Sequence, residues 1–200
     1  MERDHVVRGG VGVVSRARPT LMGLFFGGRR RMDHRAAAEA DEMSATHHPV
    51  LQRTGGKISP EMSAAKLVWL HRHMPHAFKA ATTLLELPDF LTLKATGRPT
   101  RCVNSLACKW TYAAATGFDD GFWRALGLHD LVDAAYAQCV GPTVSRVGEP
   151  LGDGLAPHAA RELGIEPCVG MKIGAAVIDA YAVSVSFSRP ASPPAPRRSL

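Results

Sequence analysis

The chain has 200 residues, 46% of them hydrophobic, and a formal charge of +6, so it can bury one core of ordinary size, in one domain or one and a half. The positive charge lies at the two ends. Residues 1–31 hold seven Arg against Glu2 and Asp4, residues 180–200 hold three Arg and no acid, and residues 32–179 are left at −2, which argues against a nucleic-acid-binding domain, whose Lys and Arg sit on the folded face.

Residues 1–31 show no hydrophobic period and are expected to form a disordered or poorly packed Arg-rich arm. Their longest apolar run, Leu21–Phe26, is too short for a signal segment or a membrane span. The Arg-rich, acid-poor start has the composition of an organelle transit peptide, but no apolar helical face repeats in it, and a non-folding extension is the preferred reading. Periodic structure begins near Asp33, and Ala36–Met43 reads as a helix broken by Thr46-His47-His48-Pro49. After a Gly55-Gly56 turn, Ser59, Pro60 and Glu61 form a helix start, with Met62, Ala65 and Trp69 on one stripe and Pro75 as the stop. Pro88 opens a further helix that Gly97 closes.

Lys109 lies between apolar and aromatic neighbours, where an amine either snorkels to water or turns into a polar pocket. The alternation of Trp110 and Tyr112 about Thr111 suits a strand or an irregular pocket wall. Phe118–Gly127 reads as a short helix, Asp130 caps another to about Gln138, and Ala156-Pro157 opens one that Gly164 closes. Residues 168–173 read as a strand leading into Gly174–Ala182, a small-residue turn that presents Asp179. That carboxylate has two readings: a helix cap, or a functional acid at a strand end, where α/β folds gather ligands. From residue 183 the chain turns Ser-, Pro- and Arg-rich and is expected to be disordered.

The four cysteines form no C-x-x-C pair and fit neither a zinc site nor a disulfide framework; they read as reduced, mostly buried thiols of an intracellular protein. His71, His73 and His76 do not make a metal site either. Positions two apart face different sides of a helix, Pro75 interrupts the third, and solvated histidines are the better account.

Several short stretches, weak alone, occur in a specific order over residues 32–182. They are Met32-Asp33-His34-Arg35-Ala36, Gly55-Gly56-x-x-Ser59-Pro60-Glu61-Met62, Lys66-Leu67-Val68-Trp69-Leu70 and Leu87-Pro88-Asp89-Phe90-Leu91-Thr92-x-Lys94-Ala95-Thr96-Gly97. Ser105-Leu106-x-Cys108-Lys109-Trp110-Thr111-Tyr112 and Gly174-x-x-x-Ile178-Asp179-Ala180 complete the set. Together they resemble the FGGY family of carbohydrate kinases, most closely its ribulokinase-like, pentulose-kinase branch.

The resemblance implies an α/β fold: part of an actin-like, ribonuclease-H-like N-terminal domain over residues 32–182, with an incomplete sheet and several helices. It implies a cytoplasmic enzyme that phosphorylates a sugar hydroxyl with ATP and Mg2+. By position Asp179 matches the catalytic base, Lys109 a lysine that contacts the ketose, and Asp33, His34 and Arg35 the signature that lines the sugar cleft. A carboxylate suits that chemistry because an alcohol attacks only as its proton leaves, and Lys and Arg supply donors for ketose and hydroxyl oxygens.

The chain also departs from the family. Residues 1–31 hold no glycine-rich Asp-Gly-Thr hairpin for ATP phosphates and metal, little sequence follows Asp179, and Tyr181-Ala182-Val183 leaves the small-residue pattern. The expectation is a partial kinase domain in which ATP and Mg2+ bind poorly, an apolar face is uncovered and stability is marginal. Its expected partner is a ribulose- or xylulose-like sugar, with neither nucleic acid nor membrane involved. The alternative is a non-catalytic remnant that binds sugar, forms a homodimer or pairs with a full-length relative.

Overall fold

A computed structural model describes residues 12–15, 33–141 and 143–187. In chain order the elements are strand β1 (Gly12–Ser15), helices α1 (Ala37–Ala45), α2 (Ser63–His73) and α3 (Pro75–Ala80), strand β2 (Ala81–Leu85), helix α4 (Leu87–Thr96) and strand β3 (Thr100–Cys102). Helices α5 (Val103–Trp110), α6 (Asp120–Ala125), α7 (His129–Asp133) and α8 (Ala137–Val140) follow, then strand β4 (Thr143–Ser145) and helices α9 (Pro157–Leu163) and α10 (Asp179–Phe187). Short 3-10 turns occupy Pro49–Thr54 and Glu166–Cys168.

The helix boundaries follow local chemistry. Pro88 lies in the first turn of α4, where a missing N–H costs nothing, and Gly97 ends it with φ 70°, a left-handed value that a Cβ would resist. Pro157 and Gly164 bound α9 in the same way. The Asp119 carboxylate accepts from the Phe122 amide at 3.0 Å and caps α6. Helix α2 is buried from Ser63 through Val68 because Ala64 and Ala65 let neighbours approach, and it packs against Ala40 and Met43 of α1, Phe78 of α3 and Leu106 and Trp110 of α5. An aromatic group of Tyr112, Phe118, Phe122, Trp123 and Tyr136, in tilted and edge-to-face contacts, continues the same core.

The architecture is mixed helix and strand, with partial sheets. β1 pairs antiparallel with β2, Gly12 opposite Leu85 and Val13 opposite Leu84, and β3 pairs parallel with β4, Arg101 opposite Val144. β1 lies within the segment expected to be a poorly packed arm, and its backbone pairs with β2. The remainder of residues 1–31 lies outside the described residues, as does the tail from residue 188.

Several expectations are corrected. Residues 105–112 are not a strand: α5 runs to Trp110 and ends at Thr111, whose φ of 61° reverses the chain and produces the apparent alternation. The helix of the Ser59-Pro60 start begins at Ser63, and Pro75, besides ending it, opens α3. The helix from Asp130 stops at Asp133, since Ala135 and Tyr136 turn left-handed at φ 49° and 56°. Residues 168–173 are not a sheet strand. A 3-10 turn covers Glu166–Cys168, and the chain from Met171 then lies beside residues 148–155, joined by bonds such as Leu151 N to Ile173 O and Ala175 N to Glu149 O, both 2.8 Å. Gly154, at φ 88°, permits this, because a Cβ there would stand 2.4 Å from the Met171 carbonyl oxygen. Helix α10 carries order to Phe187, into the stretch expected to be disordered from residue 183.

Candidate functional site

Asp33 begins the site at the entry to α1. Its Oδ1 accepts from the Arg35 backbone amide at 3.3 Å and from Arg35 Nε at 2.8 Å, a local turn that fixes the carboxylate. The Arg35 guanidinium lies over the Trp69 ring, 5.1 Å from its centre, and His73 stacks on the same indole at 5.0 Å. Asp33 Oδ2 is shut from solvent and has no hydrogen-bond donor among the described residues. The His34 side chain is exposed.

Deeper in the same region, Glu86 caps the gap between β2 and α4 and is buried. Its Oε1 accepts from the Ser63 hydroxyl and, at 2.7 Å, from Trp110 Nε1. Burial pushes the Glu86 carboxyl above the ordinary range, against the pull of Ser63, Arg101 and Trp110. Lys66, three residues after Ser63 and on the same side of α2, is only 6% exposed. Loss of water lowers its pKa; Asp33, Glu86 and Glu61 act in the other direction, and Lys109 adds to the lowering. Lys109 therefore shares this field with Lys66, and Trp110, the next residue of α5, bonds Glu86 directly.

Asp179 is reached along a different path. The ribbon from Met171 ends at Ile178, whose amide donates to Asn104 Oδ1 on α5 at 3.1 Å. Asp179 is exposed at the first position of α10, and its Oδ1 accepts from the Ala180 amide at 2.8 Å. Two residues on, the neighbouring Cys108 side chain raises the pKa of the exposed Tyr181 phenol. Cys108 in turn accepts from Asn104 Nδ2 at 3.7 Å. One face of α5 thus holds the Asp179 turn, while the next residue, Lys109, acts in the field of Lys66. Asp179 also borders a hollow of about 470 Å3 lined by Leu87, Pro88, Leu91, Thr92, Ala95, Ala176 and Val177.

Asp33 thus bonds Arg35, Lys66 lies in the field of Asp33, Glu86 and Lys109, His34 is at the surface, and Asp179 follows the Ile178–Asn104 bond to α5. Lys109 is not among the residues that line the hollow at Asp179. Lys66, Ser63 and Glu86 were missed as site residues. The signal for Lys66 was present, a lysine on the buried side of an otherwise apolar run, Ala64 to Leu70; Glu86 carried no local signal. No group of three or more metal-ligating side chains occurs among the described residues, and His71 and His73 face Asp130 and Glu39 at 3.3 and 3.1 Å instead. The lining at Asp179 offers one carboxylate and no Lys or Arg, so it does not fit a magnesium nucleotide by itself.

The family model described as the FGGY family of carbohydrate kinases, N-terminal domain, matches residues 31–168. The chain belongs to this family. It is 46% identical over 152 residues to the FGGY carbohydrate kinase domain-containing protein of Danio rerio, a match covering 76% of this chain and 27% of that protein. It is 31% identical over 163 residues to D-ribulokinase YDR109C of Saccharomyces cerevisiae, covering 76% of this chain and 22% of that protein. This FGGY chain thus spans about a quarter of the length of such relatives. Among solved structures, the xylulose kinase from Rhodospirillum rubrum superposes with a TM-score of 0.65 at 22% identity, over 90% of this chain and 34% of that one, which shows a shared sugar-kinase fold. Asp179 lies beyond the residues that the family model matches. No helix among the described residues is long and apolar enough to cross a membrane.

Proposed function

We propose that this chain supplies the acceptor-sugar side of a cytoplasmic pentulose kinase, with Asp179 as general base and Lys109, Asp33, His34 and Arg35 as sugar contacts. The observation that carries the reading is the double use of α5: Asn104 holds the chain just before Asp179, and Lys109 lies further along the same helix. In this reading the Asp179 carboxylate orients one hydroxyl and takes its proton as the oxygen becomes a nucleophile. The amides at the start of α10 favour a negative side chain there. Lys109 donates to a ketose oxygen, and Asp33 and Arg35 select the orientation of the remaining hydroxyls. The D-ribulokinase relative supports a pentulose as the acceptor.

In the complete enzyme the phosphoryl donor is ATP with Mg2+. The hollow at Asp179 offers a single carboxylate and no Lys or Arg for phosphates, and in this reading the chain alone binds sugar without turning ATP over. Thermal-shift measurements on the purified chain test this. D-ribulose or D-xylulose should raise the melting temperature and ATP with Mg2+ should not, while a coupled ADP assay stays at background. A shift with ATP and none with either sugar, or turnover at a normal enzymatic rate, overturns the reading.

The limited share of the relatives' length also favours a second reading, a non-catalytic module that binds sugar or pairs with a second copy or a full-length relative. Light scattering of the chain alone and mixed with such a relative separates the two: a stable complex supports pairing, and a monomer under both conditions removes it.

A further inference from the structure

The Arg35 side chain is held by contacts that reach well beyond its own turn. Its Nε donates to Asp33 Oδ1 at 2.8 Å, and its guanidinium lies over the Trp69 ring, 5.1 Å from the centre. Arg35 is 32% exposed, and an Arg side chain at such a place otherwise samples many rotamers. Trp69 is a firm platform because it is half-buried and packs against the main core. Its indole is held in turn by His73, one helical turn on, which stacks on it at 5.0 Å with the ring planes 24° apart. His73 Nε2 lies 3.1 Å from Oε1 of Glu39, a residue of α1 that is 4% exposed. Glu39, His73, Trp69 and Arg35 therefore form one chain of contacts that starts on α1, crosses to α2 and ends at the Asp33 turn.

An aromatic face under a guanidinium favours one placement of the cation and leaves the N–H groups to bond in the guanidinium plane. Such a platform matters to a ligand. Ordering a long side chain at the moment of binding lowers affinity, and a guanidinium that is already placed avoids that cost. We infer that Trp69 and His73 are positioning residues for the sugar: the indole holds the Arg35 guanidinium where it donates to hydroxyls of the ketose, and His73, tied to Glu39, holds the indole. Neither ring touches the sugar in this assignment; each acts through Arg35. The inference rests on the sugar-binding reading above, in which Arg35 is a contact, and extends it to two residues of α2 that lie outside the 32–36 stretch.

Calorimetric binding of D-ribulose to the 200-residue chain, in a double-mutant cycle over Trp69 and Arg35, tests the inference. Trp69→Leu should weaken ribulose about two- to fivefold, the size of a partly exposed cation–π contact. Trp69→Phe, which keeps a ring face, should recover most of that loss. In an Arg35→Met chain, Trp69→Leu should cause no further loss, because the group it acts through is gone. His73→Ala, at a side chain 54% exposed, provides a second variant if Trp69→Leu fails to fold by circular dichroism, and it too should weaken ribulose only while Arg35 is present. The Arg35 Nε–H resonance gives a readout independent of affinity: the indole ring current displaces it in the unmodified chain, and Trp69→Leu should return it to the ordinary position. A resonance that Trp69→Leu does not move overturns the inference. Equal losses of affinity with and without Arg35 would mark a merely structural ring and overturn it too, as would unchanged ribulose binding in both Trp69→Leu and His73→Ala, with the sugar site left standing. No binding of any ketopentose by the unmodified chain removes the sugar site itself, and the positioning role with it.

Discussion

Two buried charged groups of this molecule differ in how fully they are satisfied. Around Asp89 and Arg101, which are 1% and 0% exposed, nearly every bond is made. Asp89 Oδ2 accepts from Arg101 Nε at 2.8 Å and from the Ser105 hydroxyl at 2.6 Å, and Oδ1 accepts from the Cys102 amide at 2.8 Å. Arg101 Nη1 donates to the Leu84 and Cys139 carbonyls, and the guanidinium lies 5.2 Å from the Trp110 ring centre. Only Arg101 Nη2 is left over in that group. Around Asp33, by contrast, Oδ2 is a buried acceptor with no donor among the described residues. A saturated network fixes its elements to one another, here β2, α4, β3, α5 and α8. An unsaturated one keeps capacity for something that arrives later.

The largest expected effect tests the saturated side. Asp89→Ala strands the Arg101 guanidinium in the core and should cost about 3–5 kcal/mol, enough to unfold a domain of marginal stability. Urea denaturation followed by circular dichroism measures it. A loss below about 1 kcal/mol would mean that the network is not what joins these elements.

A smaller effect concerns pH and belongs to the unsaturated side. Glu86 has its pKa raised by burial, so the folded state holds a proton that the unfolded state has released. Its contribution is present below the ordinary carboxylate value and is lost as pH rises towards the folded one. Glu86→Gln keeps an acceptor for Ser63 and Trp110 and should gain on the parent chain across that window. Lys66 is the reverse case. Its lowered pKa means that the unfolded state binds more protons between the folded value and 10.5, so stability rises with pH there. Any advantage of Lys66→Met should therefore shrink as pH climbs towards 10.5. Urea midpoints measured across pH check both slopes, and curves parallel to the parent's would show that neither group titrates differently in the fold.

Sequence made some of this visible and hid the rest for physical reasons. Helices α4 and α9 were legible because Pro88, Gly97, Pro157 and Gly164 act locally, through a missing N–H and a left-handed φ. The end of α5 was not, because Thr111 adopts φ 61° without being glycine, so the reversal left no mark. The 168–173 stretch looked like a strand because its apolar residues alternate, yet Pro167 and Gly170 shorten it and its hydrogen bonds go to residues 148–155. Lys109 and Asp179 stood out by their apolar and small-residue surroundings, and Asp33, His34 and Arg35 were assigned through family resemblance. The Asp89–Arg101 network and the Ser63–Glu86 bond join residues 12 and 23 apart, and no local pattern encodes such pairings.

Asp33→Asn sharpens the comparison from the other side. The pair it breaks is partly exposed, Arg35 at 32% and Asp33 at 11%, and the oxygen that faces inward has no donor to lose. The stability cost should stay within about 1 kcal/mol, several times less than for Asp89→Ala, although each variant alters an Asp paired with an Arg. A loss as large as that of Asp89→Ala would show that Asp33 is a structural member of the fold.

The smallest effect separates burial from bonding geometry. Arg72 grips Glu42 through two bonds, Nη1 to Oε2 at 2.5 Å and Nη2 to Oε1 at 2.8 Å, a fork as complete as any Arg101 makes. The hydrogen bond to Arg72 lowers the Glu42 pKa, so its contribution is present above the ordinary carboxylate value and fades as pH falls through the folded one. The two side chains are, however, 36% and 47% exposed, and water and salt screen the pair. Arg72→Ala should cost about 0.2–1 kcal/mol, and less in high salt, where Asp89→Ala should be unchanged. Urea midpoints at low and high ionic strength give both numbers. If the surface fork proved as costly as the buried one, geometry and not desolvation would govern these ion pairs, and the idle oxygen of Asp33 would lose its meaning as a place held for a ligand.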